Sequence, residues 1–302
     1  MKINLHITES CNFNCKYCFA HYEDKRRKPS QDDWLNIIGS CARSGLIDEI
    51  NFAGGEPLLY SGLTELAVEA RMCGLDTGII SNGQLMTDDW IKKNAKLFDT
   101  IGISMDSFVP DTTRRIGRYD PKLGTMTINR LAHRLEMLEE YAPNAKLKLN
   151  TVVSAYNKDE DMAGVLLSNS LPIDRWKLLM ACPFDDGAHD NADTLIKDYE
   201  FFAFVQRQLD HFGLKAAAAD VARYIGDING LDIEIVAEKA MKGSYIMIDA
   251  NGWLIGNSSD NRYDYIADLK SESFADAFER LALDETLYGA RYGRDKYALP
   301  KG

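Results

Sequence analysis

The sequence predicts an α/β fold: a partial six-stranded (β/α)6 barrel of the TIM type, capped by a C-terminal extension. Two observations predict it. From residue 3 to residue 181, short apolar runs alternate with amphipathic helical stretches, the pattern of a parallel sheet wound with right-handed crossovers. Within several strands, polar residues recur at every second position, so each strand has one apolar face and one polar face.

Strands are predicted at 3–7, 48–52, 76–81, 99–105, 146–153 and 175–181. The helices between them are expected at 31–44, 61–72, 87–96, 126–141 and 159–168. Ser30 is placed to N-cap the first helix and Gly45 to follow its end. Thr87-Asp88-Asp89 opens the third, and Leu131, Leu135 and Leu138 form one stripe on the fourth. An Asp- and Gly-rich loop at 183–193 then leads to a helix near 195–212 and a less regular stretch. Strands at 244–249 and 253–257, a helix near 273–287 and a basic tail complete the chain. The expected division is a barrel core over 1–182 and an extension over 183–302. Such barrels carry their chemistry at the C-terminal ends of the strands.

The bulk numbers exclude several classes. A net charge of −11 argues against a nucleic-acid polymer as partner, although a local basic pocket for a small anion can sit on an acidic protein. No run is apolar enough to cross a bilayer, and Lys2-Ile3-Asn4-Leu5-His6-Ile7 resembles neither a signal-peptide core nor a basic amphipathic helix. Of six cysteines, three crowd at 11, 15 and 18, which suits a metal site in a reducing compartment better than a disulfide framework. The expectation is a soluble, cytoplasmic monomer with no membrane partner.

The strand faces locate a cavity. Ile3, Leu5 and Ile7 oppose Asn4, His6 and Thr8; Ile101, Ile103 and Met105 oppose Gly102, Ser104 and Asp106. Leu147, Leu149, Thr151 and Val153 oppose Lys146, Lys148 and Asn150, and Trp176, Leu178 and Met180 oppose Arg175 and Lys177. If the apolar faces meet the helices, then Asn4, His6, Lys148, Asn150, Arg175 and Lys177 line the lumen, which is costly unless something polar fills it. From the residues alone, edge strands with a solvated face explain the pattern equally well.

Cys11-Asn12-Phe13-Asn14-Cys15-Lys16-Tyr17-Cys18-Phe19 follows the first strand. Three thiolates in one loop can ligate three corners of a 4Fe-4S cluster, leaving the fourth iron open for chemistry. A structural zinc completed by His21 or His6 is the alternative, but zinc sites usually pair two knuckles and this chain has one. The cysteine spacing with its following aromatic resembles the radical S-adenosylmethionine superfamily. Gly54-Gly55-Glu56-Pro57 after the second strand, Ser81-Asn82-Gly83 after the third and Ser104 on the fourth match in position. The resemblance implies that Cys11, Cys15 and Cys18 hold the cluster and that its open iron chelates S-adenosyl-L-methionine. It places Phe19, Gly54, Gly55, Glu56, Ser81, Asn82, Ser104 and Arg118 around that cofactor. Backbone atoms of the Gly54–Pro57 segment would hold its amino group, Ser104 would touch the ribose and Arg118 would reach the carboxylate.

Further segments resemble the viperin-like enzymes: Asn4-Leu5-His6-Ile7-Thr8, Ile50-Asn51-Phe52-Ala53, Ile116-Gly117-Arg118, Lys148-Leu149-Asn150, Glu160-Asp161-Met162, Arg175-Trp176-Lys177 and Lys242-Gly243-Ser244-Tyr245. The resemblance implies conversion of a nucleoside triphosphate to its 3′-deoxy-3′,4′-didehydro form, an antiviral chain terminator. A 5′-deoxyadenosyl radical would take the C4′ hydrogen and the 3′-hydroxyl would leave. A reductase, flavodoxin or ferredoxin would donate electrons. Lys148, Arg175, Lys177, Lys242 and Arg262 would bind phosphates, with Asn4, His6, Asn150 and Ser244 near the nucleotide. Tyr245 matches a late hydrogen donor, with packing on a strand as its other reading. Arg291 and Arg294, in the basic tail, would close over the phosphates. The 256–264 segment departs from the vertebrate pattern, so CTP, UTP and GTP all remain open as substrates.

Two rival readings make different demands on the chain. A radical enzyme acting on peptides or on a cofactor precursor would usually carry further cysteines in its extension, and none follows Cys182. A zinc-stabilised nucleotide-binding protein without catalysis would contain zinc and no sulfide.

Overall fold

The computed structural model describes residues 1–20, 27–183, 191–215, 222–228, 230–238, 243–256 and 263–292, with the side chains of 222–228 and 290–292 left aside. In chain order the elements are β1 (Lys2–His6), α1 (Gln31–Arg43), β2 (Glu49–Ala53), α2 (Leu63–Met72), β3 (Asp76–Ser81), α3 (Asp88–Asn94), β4 (Thr100–Ser104), α4 (Pro110–Ile116), α5 (Ile128–Tyr141), β5 (Lys146–Val153), α6 (Met162–Ser168) and β6 (Arg175–Met180). There follow α7 (Asp198–Asp210), β7 (Ala222–Ile228), β8 (Leu231–Val236), β9 (Met247–Ile248), β10 (Trp253–Gly256), β11 (Asp264–Asp268), α8 (Phe274–Phe278) and α9 (Glu285–Tyr292).

Small polar side chains start the helices by taking N–H groups that the first turn leaves unpaired. Ser30 and Asp33 form a reciprocal capping box on α1. Thr87, Thr127 and Asp161 cap α3, α5 and α6 by a single bond each, their side chains accepting from Trp90 N, Arg130 N and Gly164 N. The strands β1 to β6 lie side by side in sequence order, all parallel, which is the predicted (β/α)6 arrangement. The sheet runs β11-β10-β9-β1-β2-β3-β4-β5-β6-β8-β7, so strands from the C-terminal part extend both edges. On one side β9 pairs parallel with β1, followed by antiparallel β10 and β11. On the other, β8 pairs parallel with β6 and turns back into β7.

The less regular stretch expected after residue 212 is thus partly a β-hairpin. Leu231-Asp232-Ile233-Glu234-Ile235 alternates with period two, the signature of a half-buried strand. The helix expected over 273–287 is two helices, because Asp284 accepts from Leu287 N and starts a second turn there. The strand expected over 244–249 shortens to two residues. The sequence reading did not anticipate β11 or α4.

The apolar strand faces form the core with the helices. Ile3, Leu5, Phe52, Ile79, Ile103, Leu149, Trp176 and Leu178 pack with Trp34, Ile37, Leu66, Leu131 and Phe204, all under 2 % exposed. The indole of Trp176 donates to Thr151 Oγ1 at 2.9 Å, so even the largest of these buries no unpaired N–H. Among the described residues, no helix is long and apolar enough to cross a membrane.

The opposite faces are polar and in register. Asn4 lies beside Asn51, and Asn51 donates to Asn4 Oδ1 at 2.8 Å. Ser104, Asn150, Lys177 and Glu234 form one lateral row; Gly102, Lys148, Arg175 and Asp232 form the next. A Cβ on Gly102 would sit 3.2 Å from Asn150 Nδ2, so the missing side chain makes room for the amide. Among the described residues, buried Asn4 Nδ2 and Asn150 Oδ1 have no hydrogen-bond partner, so this face still has polar capacity to fill.

Candidate active site

The cysteine loop leaves the C-terminal end of β1 and is clamped by backbone. Asn14 N donates to Gly117 O at 3.1 Å and Lys16 N to Ile116 O at 2.9 Å, a two-bond ladder to the end of α4. This close approach requires glycine. Gly117 has φ +90, and a Cβ there would lie 2.0 Å from Asn14 O. On the other side, Gly55 N donates to Thr8 O at 2.7 Å and Glu56 N to Ser10 O at 2.8 Å. Gly54, with φ +137, has the same constraint: its Cβ would meet Thr8 O at 2.4 Å.

Glu56 fastens the next loop. It is fully buried and accepts from Ser81 Oγ at 2.7 Å, Asn82 N at 2.8 Å and Leu58 N at 3.1 Å. Burial raises its pKa, against the lowering effect of those bonds. Asn82 Nδ2 donates to Asn12 Oδ1 at 2.7 Å, returning the connection to the cysteine loop. Thus Glu56, Ser81 and Asn82 bind one another. Among the described residues the carbonyl oxygens of Gly54 and Gly55 accept no intrachain bond, so they offer acceptors to an amino group.

Cys11 is exposed, while Cys15 and Cys18 are half-buried. Burial raises all three thiol pKa values, Cys15 to about 12, and Arg118 pulls each of them down. Arg118 Nη1 stands 3.9 Å from Cys15 Sγ. Among the described residues, no three His, Cys, Asp or Glu side chains are grouped to hold a single metal ion. Three free thiols of one loop, none in a disulfide, beside a fixed cation, suit the three-thiolate, open-iron cluster that the spacing predicts.

Arg118 is itself held. Nη1 pairs with Asp106 Oδ2 at 3.0 Å and Nη2 donates to Ser104 O at 2.7 Å. Ser104 is therefore the junction between loop and polar face: Asn150 is one strand away and Lys177 two, roughly 10 Å by ordinary strand spacing.

The structure gives the basic row partners that the sequence reading missed. Glu234 on β8 pairs with Lys177 and, at 3.5 Å, with Lys148; Arg175 pairs with Asp232 at 3.6 Å. The signal was the acid alternation in 231–235. His6 is buried, with its ring 5.9 Å from that of Phe19, and burial lowers its pKa to about 3, so it is a neutral ring at neutral pH. Phe19 is 45 % exposed, and its carbonyl accepts from the Tyr263 hydroxyl, a second missed contact, which ties the cysteine loop to the C-terminal strands. Ser244 is buried and Tyr245 half-buried, beside β1, where Asn4 N donates to Ile246 O at 3.0 Å. Lys242, Arg262 and Arg294 lie outside the described residues, as does the side chain of Arg291.

Comparison with known proteins agrees with this geometry. Residues 5–165 match the radical SAM superfamily. Solved structures of native anSMEcpe with bound AdoMet (TM-score 0.65, 14 % identity, 92 % of this chain and 80 % of that one) and of Streptococcus suis SuiB bound to S-adenosylmethionine (TM-score 0.63, 15 % identity, 95 % and 66 %) share the fold. An S-adenosylmethionine-dependent nucleotide dehydratase of Selenomonas ruminantium is 34 % identical over 96 % of this chain and 98 % of its own length. One from a Fibrobacter strain is 30 % identical over 96 % and 87 %. The chain belongs to the radical SAM superfamily, as a member of the viperin-like S-adenosylmethionine-dependent nucleotide dehydratase family.

Proposed function

We propose that this protein removes water from a nucleoside triphosphate, giving the 3′-deoxy-3′,4′-didehydro nucleotide, an antiviral chain terminator. The observation that carries this reading is the continuous path from Cys15 through Arg118 and Ser104 to Asn150 and Lys177 on one polar face. That path supports a reading in which a radical source and an anion site are spaced to suit one nucleotide. When bound, the 4Fe-4S cluster and S-adenosyl-L-methionine supply the radical chemistry.

The chain's own residues bind and aim. Cys11, Cys15 and Cys18 would ligate the cluster. The Gly54 and Gly55 carbonyls would accept from the methionine amino group, Arg118 would hold its carboxylate and Ser104 would touch its ribose. Lys148, Arg175 and Lys177 take the triphosphate, for which cations in a low-dielectric pocket are suited. The orphaned polar atoms of Asn4 and Asn150 meet the sugar or base. Tyr245 would serve as the late hydrogen donor. Residues 1–182 form the radical-generating unit and 183–302 cover the nucleotide. Six free thiols accord with a reducing, cytoplasmic setting and a flavodoxin- or ferredoxin-type donor.

The test is anaerobic purification with iron, sulfide and zinc analysis, then incubation with dithionite, S-adenosylmethionine and each of CTP, UTP, GTP and ATP. The expected result is 5′-deoxyadenosine formation stimulated by one triphosphate, with a dehydrated nucleotide by mass. Zinc without sulfide, or equal slow cleavage with every triphosphate and no dehydrated product, would overturn the proposal.

A further inference from the structure

Arg118 is 7 % exposed and its charge is balanced in an unusual way. Asp106 Oδ2 receives both the Arg118 Nη1 pair, at 3.0 Å, and the hydroxyl of Tyr17, which sits inside the cysteine loop between Cys15 and Cys18. Asp106 Oδ1 accepts from Val152 N at 2.7 Å, and Asn157 Nδ2 donates to the Asp106 backbone carbonyl at 2.6 Å, so β5 fixes the carboxylate and the turn that follows β5 fixes the backbone that carries it. The Phe13 ring lies 5.4 Å from the guanidinium carbon. Asp106 is 1 % exposed and Tyr17 8 %. Three polar groups therefore share one dry compartment against Cys15 Sγ, where a charge acts far more strongly than in water.

We propose that Asp106 and Tyr17 are positioning residues that set how much positive charge Arg118 presents to the Cys15 thiolate, and so tune the reduction potential of the cluster. The inference rests on the reading that Cys11, Cys15 and Cys18 hold that cluster. A cation or hydrogen-bond donor at a cluster sulfur stabilises the more negative, reduced state and raises the potential. Asp106 opposes Arg118. The Tyr17 hydroxyl draws charge from Asp106 and weakens that opposition. The three residues then have signs. Asp106→Asn removes the opposing charge while keeping an acceptor for Val152 N, and the potential rises. Tyr17→Phe leaves the carboxylate more negative beside Arg118, and the potential falls. Arg118→Gln removes the cation, and it falls further.

The experiment is an EPR-monitored redox titration of anaerobically reconstituted wild type, D106N, Y17F and R118Q, without S-adenosylmethionine or nucleotide, with iron and sulfide measured on each sample. Opposite shifts in D106N and Y17F at full iron content are expected. A purely structural role would change iron content, or move both variants the same way. If D106N does not load, the fall in Y17F carries the test. Loaded variants with the wild-type potential, or shifts of the wrong sign, overturn the proposal. A wild type without iron and sulfide overturns instead the cluster reading beneath it.

Discussion

The cysteine loop is held by backbone: four N–H groups reach across to or from neighbouring turns, and glycines at 54 and 117 let the chains touch. The row formed by β5, β6 and β8 is held by side chains: Lys148 and Lys177 share Glu234, and Arg175 pairs with Asp232. The first arrangement admits no slack, which suits a ligand set whose sulfurs must meet fixed corners. The second can re-pair. Under the proposed function, a triphosphate entering the row would take over these extended side chains, and the carboxylates would turn to other partners. Rigid chemistry is thus placed on backbone and exchangeable binding on side chains.

Substitutions can break this contrast. Gly117→Ala should have the largest effect, because an L-residue at φ +90 with its Cβ 2.0 Å from Asn14 O must push the loop away. Local strain of about 1–3 kcal/mol is expected, with severalfold loss of iron and sulfide per chain and nearly unchanged nucleotide affinity. Equal loss of both would show that the two regions are one unit. Next is Lys177→Ala. Removing Lys177 leaves Glu234 with the more distant Lys148, at 3.5 Å, and takes a cation from the proposed anion site. Triphosphate binding should weaken by about 2–5 kcal/mol, ~30-fold or more, while cluster loading persists. Calorimetry beside iron analysis checks it.

His6 gives a smaller, pH-dependent effect. Its folded pKa of about 3 lies below the usual value of 6.5, so the unfolded chain takes up the proton first. The stability it contributes is complete above pH 6.5 and falls by about 1.4 kcal/mol per unit as pH drops toward 3. Denaturant unfolding at descending pH should show a steeper loss in wild type than in His6→Asn. The smallest effect is Glu234→Gln. Removing one negative charge from the row should tighten triphosphate binding by a few-fold, about 1 kcal/mol, and steepen its dependence on salt. Weaker binding would mean that Glu234 orders the lysines more than it competes for them.

Local patterns made much of this visible in the sequence. The cysteine spacing, the Gly54-Gly55-Glu56-Pro57 turn and the period-two faces of 146–153 and 175–180 all lie within single elements. What stayed hidden depends on register between distant strands. Nothing near Lys177 announces Glu234, 57 residues away. Asp106 stood on the polar face of the fourth strand, but its tie to Tyr17, 89 residues earlier, exists only once the loop folds back. Gly117 was legible as part of a motif, yet its purpose, contact with Asn14, required the fold. Acid–apolar alternation marks β8 in the sequence, but its pairing with β7 is a matter of register that no local pattern carries.

The sheet order has a consequence for how the protein is made. β1 waits for β9, and β6 for β8, so both flanks of the parallel unit stay open on a nascent chain until its last third has left the ribosome. Unpaired parallel edges are prone to wrong partners. A fragment ending at residue 182 should therefore aggregate during synthesis, and metal delivery to the cysteine loop should follow, not precede, release of the finished polypeptide.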